Sequence, residues 1–144
     1  MNFILDEISC VMVENDCQAK VFWHSLKVKL DLEETVMAQV TNFFVGANSG
    51  DGFQNLFPEM VDIEDTYDLM VLKGGPGVGK NTFMRALGQA MEEAGTAVEY
   101  LWCSGDPDSL DGVVLPELKC AVADGTSPHV GATKGHFYRT SYLK

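Results

Sequence analysis

The chain has 144 residues, 46% of them hydrophobic and 22% charged, with 21 acidic against 10 basic side chains and a formal net charge of −11. A chain of this length buries roughly 68–70% of its unfolded surface, enough for one domain with its own core, and a composition without low-complexity tracts or repeats excludes disorder throughout. So acidic a chain, with no Lys/Arg stripe to release counterions, argues against DNA or RNA as a partner, whereas a small polyanion needs only a few backbone N–H groups and one lysine to hold it.

The N-terminus, Met1-Asn2-Phe3-Ile4-Leu5-Asp6-Glu7, has no basic segment and meets acid after three apolar residues, so it does not read as a signal peptide. No apolar run approaches the roughly 18 residues that span a membrane, and the expected location is the cytoplasm. Cys10, Cys17, Cys103 and Cys120 form no C-x-x-C pair and have no ligand-spaced His, which removes the usual zinc signatures. They read as reduced thiols, with a disulfide left open.

Residues 8–13 and 21–32 read as short strands, the second because Val28, Leu30 and Leu32 alternate with Lys27, Lys29 and Asp31. Residues 33–44 begin with two acids and carry Val36, Met37, Val40, Phe43 and Phe44 at a spacing that predicts a helix. Residues 45–52 are glycine-rich and read as a loop leading to Phe53 and Phe57 before Pro58. Leu69, Met70, Val71 and Leu72 form a continuous apolar run, the pattern of a strand covered on both faces. After the break at 74–79, residues 81–94 place Phe83, Met84, Leu87, Met91 and Ala94 on one helical face, and Gly95 is a natural stop. A second strand is expected at 98–103, an acidic turn at 104–111, and a third strand at 120–123 closing on Asp124 and Gly125, while residues 131–144 have no clear period. Strands joined through helical crossovers imply a parallel sheet.

The segment Gly74-Gly75-Pro76-Gly77-Val78-Gly79-Lys80-Asn81-Thr82 fits G-x-x-x-x-G-K, the start of the Walker A phosphate-binding loop. Its glycines let backbone N–H groups converge on phosphates without obstruction by side chains. Lys80 would reach the β- and γ-phosphates, and the following helix adds its free N–H groups and positive dipole end. The match is short enough to arise by chance, but an apolar strand before it and an amphipathic helix after it supply the context such a motif requires. The chain is therefore expected to bind a nucleoside triphosphate through Gly74, Gly75, Gly77, Val78, Gly79, Lys80, Asn81 and Thr82. The glycine-rich loop at 45–52 is either a domain boundary or a functional loop folded against that nucleotide.

Asn81 stands where the pattern has Ser or Thr to give a hydroxyl to Mg²⁺, a cation that demands near-ideal octahedral geometry. Weak metal coordination at Asn81 is expected, and Thr82 cannot substitute because the next helical residue points about 100° away. Asp124, at the end of an apolar strand, is the candidate to hold Mg²⁺ through water and to act with Lys80 in catalysis. Asp106, Asp108 and Asp111 follow the second strand at the carboxyl edge of the sheet, where open α/β folds bind ligands. Asp108 is a candidate base, against the simpler reading of an Asx turn around Asp106-Pro107. His129 could contact phosphate, although a lone His is more often a surface or packing residue.

The chain also resembles a poorly characterised family of bacterial P-loop ATPases. That family carries an aromatic, Gly- and Asn-containing segment, then LKGGPGTGKS, then C-S-S-D-P-D-S-L-D-G, then D-G-T-x-P-H. Here the corresponding runs are Phe44 to Asn48, Leu72 to Lys80, Cys103 to Gly112 and Asp124 to His129. The likeness covers residues 43–130, and its last two motifs are more specific than the phosphate loop. It implies ATP binding with Mg²⁺ and, for intact members, ATPase activity. This chain departs by Asn81 in place of Ser, and it stops where members continue, so a truncated copy is implied. The expected architecture is a three-layer α/β, P-loop NTPase-type parallel sheet, incomplete because only three core strands can be drawn, with an α+β extension at 1–60 and the nucleotide-binding core at 61–144. Three readings follow: an ATPase or small kinase, a binding module disabled by Asn81, or a fragment that self-associates through an exposed sheet edge.

Overall fold

The computed structural model describes residues 38–56, 68–126 and 138–142. The expected strands at 8–13 and 21–32, together with Cys10, Cys17, Phe57 and His129, lie outside them. In chain order the elements are β1 (Val40–Phe44), β2 (Gly46–Ser49), β3 (Gly52–Asn55), β4 (Asp68–Lys73), α1 (Lys80–Glu93), β5 (Val98–Trp102), β6 (Leu110–Leu115), β7 (Cys120–Asp124) and β8 (Tyr138–Tyr142). Six strands form one sheet in the order β1-β5-β6-β7-β4-β8, and β2 and β3 form a separate hairpin.

The chain is α/β, but the sheet is mixed rather than parallel. β1 runs parallel to β5, and β4 runs parallel to both β7 and β8, whereas β6 runs against β5 and β7. The reason lies in the connections. A parallel neighbour needs a crossover of about a dozen residues or more, and the segments 103–109 and 116–119 on either side of β6 are shorter. The sheet also has six strands where three were expected.

Two local expectations are overturned. Residues 40–44, read as the end of a helix, form β1, an edge strand whose exposure alternates along its length. The segment 45–52, read as a loop, contains β2 and the start of β3, paired from Gly46↔Asn55 to Ser49↔Gly52. Ser49 closes the turn between them, its hydroxyl donating to Gly52 O at 2.9 Å and accepting from Asp51 N at 3.2 Å. β1 belongs to the segment 1–60, yet it lies in the same sheet as β4 to β8.

Side chains alternate across the sheet as a period of two requires. Met70, Leu72, Val113, Leu115 and Val122 face α1 and pack on Phe83, Met84, Leu87 and Met91. Leu69, Val71, Leu101, Val114, Ala121 and Ala123 face the other way and are also buried, with Val45 among them. Each fully buried aliphatic or aromatic side chain contributes about 1.5–3 kcal/mol, so the four large α1 residues anchor that helix firmly to β4, β6 and β7. α1 approaches β5 closely at Gly88, where an added Cβ would stand 2.4 Å from the Tyr100 ring. The Tyr100 hydroxyl donates to Glu92 on the same helix, and burial with that carboxylate pushes the phenol pKa up.

α1 ends as its sequence predicts. Gly95 adopts φ 81°, with Gly95 N donating to Glu92 O at 2.9 Å and Thr96 N to Met91 O at 3.0 Å, the paired bonds of a Schellman cap. Among the described residues no helix is long and apolar enough to cross a membrane.

Candidate functional site

β4 delivers the chain at Lys73 into the loop 74–79, and α1 starts at Lys80. Gly77 and Gly79 take φ values of 77° and 96°, a left-handed region that side-chain-bearing residues avoid. Gly79 is the N-cap of α1, and its carbonyl accepts from Phe83 N at 2.9 Å. Its N-cap, being glycine, has no side chain to cap the helix, and no acid lies in its first turn. Its first N–H groups and the positive end of its dipole are therefore left to whatever occupies the loop.

Lys80 is only 8% exposed. Its Nζ donates to Gly74 O at 2.6 Å, Gly75 O at 3.3 Å and Thr126 Oγ1 at 2.9 Å, and lies 3.6 Å from Asp124 Oδ1. The pairing of β4 with β7 creates this arrangement, because Leu72 stands opposite Asp124 and the two strand ends meet. Gly125 N donates to Leu72 O at 2.7 Å. Only glycine permits that approach, since a Cβ at 125 would fall 2.5 Å from Val71 Cγ1 and 3.1 Å from Leu72 O. Asp124 Oδ1 accepts from Thr126 N at 2.8 Å, an Asx turn that aims the threonine hydroxyl at the lysine.

The segment 103–111 forms the opposite wall. Asp106 organises it: Oδ1 accepts from Asp108 N at 3.2 Å, Oδ2 accepts from Ser109 Oγ at 2.6 Å, and its carbonyl accepts from Ser109 N at 2.9 Å. Cys103 N closes the loop on Ser109 O at 3.0 Å. The Cys103 thiol is pushed up by burial and by the neighbouring Asp111 carboxylate, against the N–H groups of Gly105 and Asp106. α1 is tied to this wall by Asn81, whose Oδ1 accepts from Leu110 N at 3.0 Å and whose Nδ2 donates to Asp108 O at 3.4 Å.

Between the two walls lies a cleft of about 490 Å³, bordered by residues 76–82, Cys103, Asp106, Ser109, Leu110, Asp111, Asp124 and Thr126. Ligand pockets commonly occupy about 300–1,000 Å³. Of the residues singled out in the sequence, Gly77, Val78, Gly79, Lys80, Asn81, Thr82, Asp106, Asp111 and Asp124 border this cleft together. Gly74 and Gly75 contribute through the carbonyls that hold Lys80. Asp108 does not border it and meets α1 through its backbone carbonyl. Sequence reasoning missed Thr126, Ser109 and Cys103. For Thr126 the available signal was its place two residues after Asp124, the spacing of an Asx turn.

Several of the oxygens that could meet Mg²⁺ already accept protein hydrogen bonds, while Asp111 also borders the cleft. Asn81 Oδ1 is engaged by Leu110 N, and Asp124 Oδ1 by Thr126 N. Both Asp106 oxygens hold their own loop, and no group of three or more His, Cys, Asp or Glu side chains among the described residues is placed to bind a metal. Comparisons with family models, curated proteins and solved structures found no match to this chain.

Proposed function

We propose that the chain is a nucleotide-binding module that holds the phosphates of a nucleoside triphosphate, ATP for preference, in the cleft between residues 74–82 and 103–111. One observation carries this reading: a nearly buried lysine ammonium and an uncapped helix N-terminus face the same cleft. Both supply positive potential, and the helix leaves N–H donors unpaired, a combination that suits phosphate. The absence of a guanine-reading N-K-x-D run in the sequence favours adenine. A place in the bacterial P-loop ATPase family, a cytoplasmic location and self-association through a sheet edge are further parts of this proposal.

Among the alternatives, binding without efficient hydrolysis is favoured over turnover. The side chain at the usual metal position spends its oxygen on Leu110 N, so the phosphates are held by Lys80 and backbone groups. Titration of the protein with ATP in EDTA and again in Mg²⁺ tests this, and the two dissociation constants should agree within about threefold, well under the tenfold that 1.4 kcal/mol represents. Asn81→Ser should introduce a Mg²⁺ dependence. Strong Mg²⁺ dependence in the native protein would overturn the metal-free reading.

A further inference from the structure

One wall of the cleft is not made by the phosphate loop, and α1 holds that wall with two side chains. Asn81 and Arg85 stand four residues apart and so project on the same side of the helix. Asn81 uses both ends of its amide, accepting from Leu110 N at 3.0 Å and donating to Asp108 O at 3.4 Å. The Arg85 guanidinium donates to the same Asp108 carbonyl, and its Cζ lies 5.0 Å from the centroid of the Trp102 ring. Trp102 in turn donates from Nε1 to Asn42 Oδ1 of β1 at 2.7 Å, which fixes the indole beneath Arg85. The wall is bonded internally through Asp106, so securing Asp108 and Leu110 also places Asp106 and Ser109 against the cleft.

We propose that Asn81 and Arg85 are positioning residues that latch the segment 106–110 to α1 and thereby slow the escape of a bound phosphate chain. The statement about ligand escape rests on the nucleotide reading above; the latch itself does not. Arg85 is absent from the cleft lining, so in enough salt to screen its charge its substitution reaches a ligand only by way of the wall. Asn81 touches both, so the two variants together separate local contact from wall position.

The test has a ligand-free half and a ligand half. Amide exchange in the ligand-free protein is compared for native, Asn81→Ala, Asn81→Asp and Arg85→Ala chains. Leu110 N should exchange about tenfold faster in Asn81→Ala, the effect of one ordinary hydrogen bond lost. Asn81→Asp keeps the oxygen that receives Leu110 N and should restore its protection. In a Trp23→Phe background, Arg85→Ala should also shift Trp102 emission. The dissociation rate of a fluorescent ATP analogue should then rise about tenfold in both Asn81→Ala and Arg85→Ala, the usual place for binding losses to appear. Unchanged Leu110 exchange in Asn81→Ala overturns the latch. Faster exchange with an unchanged off-rate in Arg85→Ala overturns its role in retaining ligand. A native chain that binds neither ATP nor pyrophosphate while showing the exchange pattern supports the latch and overturns the nucleotide reading instead.

Discussion

A lysine ammonium taken out of water costs several kcal/mol unless partners compensate for the lost hydration. At Lys80 the compensation comes from two loop carbonyls, the Thr126 hydroxyl and the Asp124 carboxylate, all from the ends of β4 and β7. The charge is thereby kept beside the helix N-terminus on the border of the cleft. Asn81 illustrates the opposite outcome. Its position in the motif suggested a weak metal ligand, and its oxygen and nitrogen both bond the 108–110 backbone. No sequence pattern could have revealed that, because the partner segment is brought to α1 by the β5-β6 pairing.

Glu99 on β5 gives a prediction at the same scale. Burial raises its carboxyl above the ordinary value of 4.5. The native state therefore holds the proton more tightly than the unfolded chain, and stability is highest below that ordinary value and falls as pH rises through the folded pKa. Glu99→Gln removes this dependence. Thermal melts should show the variant and the native chain alike near pH 4, with the variant the more stable at pH 7. Melting curves separated by the same interval at both pH values would contradict the assignment.

At the scale of elements, the close junction of β4 and β7 is the feature on which the site depends. Gly125→Ala should cost about 1–3 kcal/mol, as overpacking does in a tight interior, because the obstacles are the branched Val71 side chain, Lys73 Cγ and the Leu72 carbonyl. Gly105→Ala is the control. Its new Cβ would meet nothing closer than Cys103 Sγ at 3.9 Å, so the change should stay within about 0.5 kcal/mol. Denaturant melts of the two variants check the contrast, and equal losses would refute the packing described at the β4-β7 junction.

What could be read at this scale followed from local signals. β4, α1, β5 and β7 were legible because each is a long apolar or periodic segment bounded by glycine or a turn. β1 was not, since Val40, Phe43 and Phe44 satisfy a helical spacing as well as a strand, and pairing with the distant β5 decides the matter. The β2-β3 hairpin was hidden by its glycines, which weaken strand propensity while serving the turn at 50–51. β6 contains the apolar run Val113-Val114-Leu115, but Asp111 and Gly112 inside the strand imitate a turn. Its omission also made the sheet look wholly parallel.

Over the whole molecule, the mixed sheet brings the loop 74–79, the Asp124 turn and the 103–111 wall to a common cleft, although they are far apart in sequence. Among the described residues the six-stranded sheet ends on β1 and β8, and the β2-β3 hairpin is separate from it. On β1, Phe44 is 63% exposed and Val40 43%, the edge that the proposed self-association would use. The net charge of −11 opposes the approach of any polyanion, which means that local groups at the loop must overcome a repulsive field. The most direct test is calorimetric titration of the native chain and of Lys80→Ala with ATP in low salt. Saturable heat in the native chain that disappears in Lys80→Ala is the expected result. Equal heats in the two proteins, or none in the native chain at millimolar ATP, would contradict the assignment of the cleft as a phosphate site.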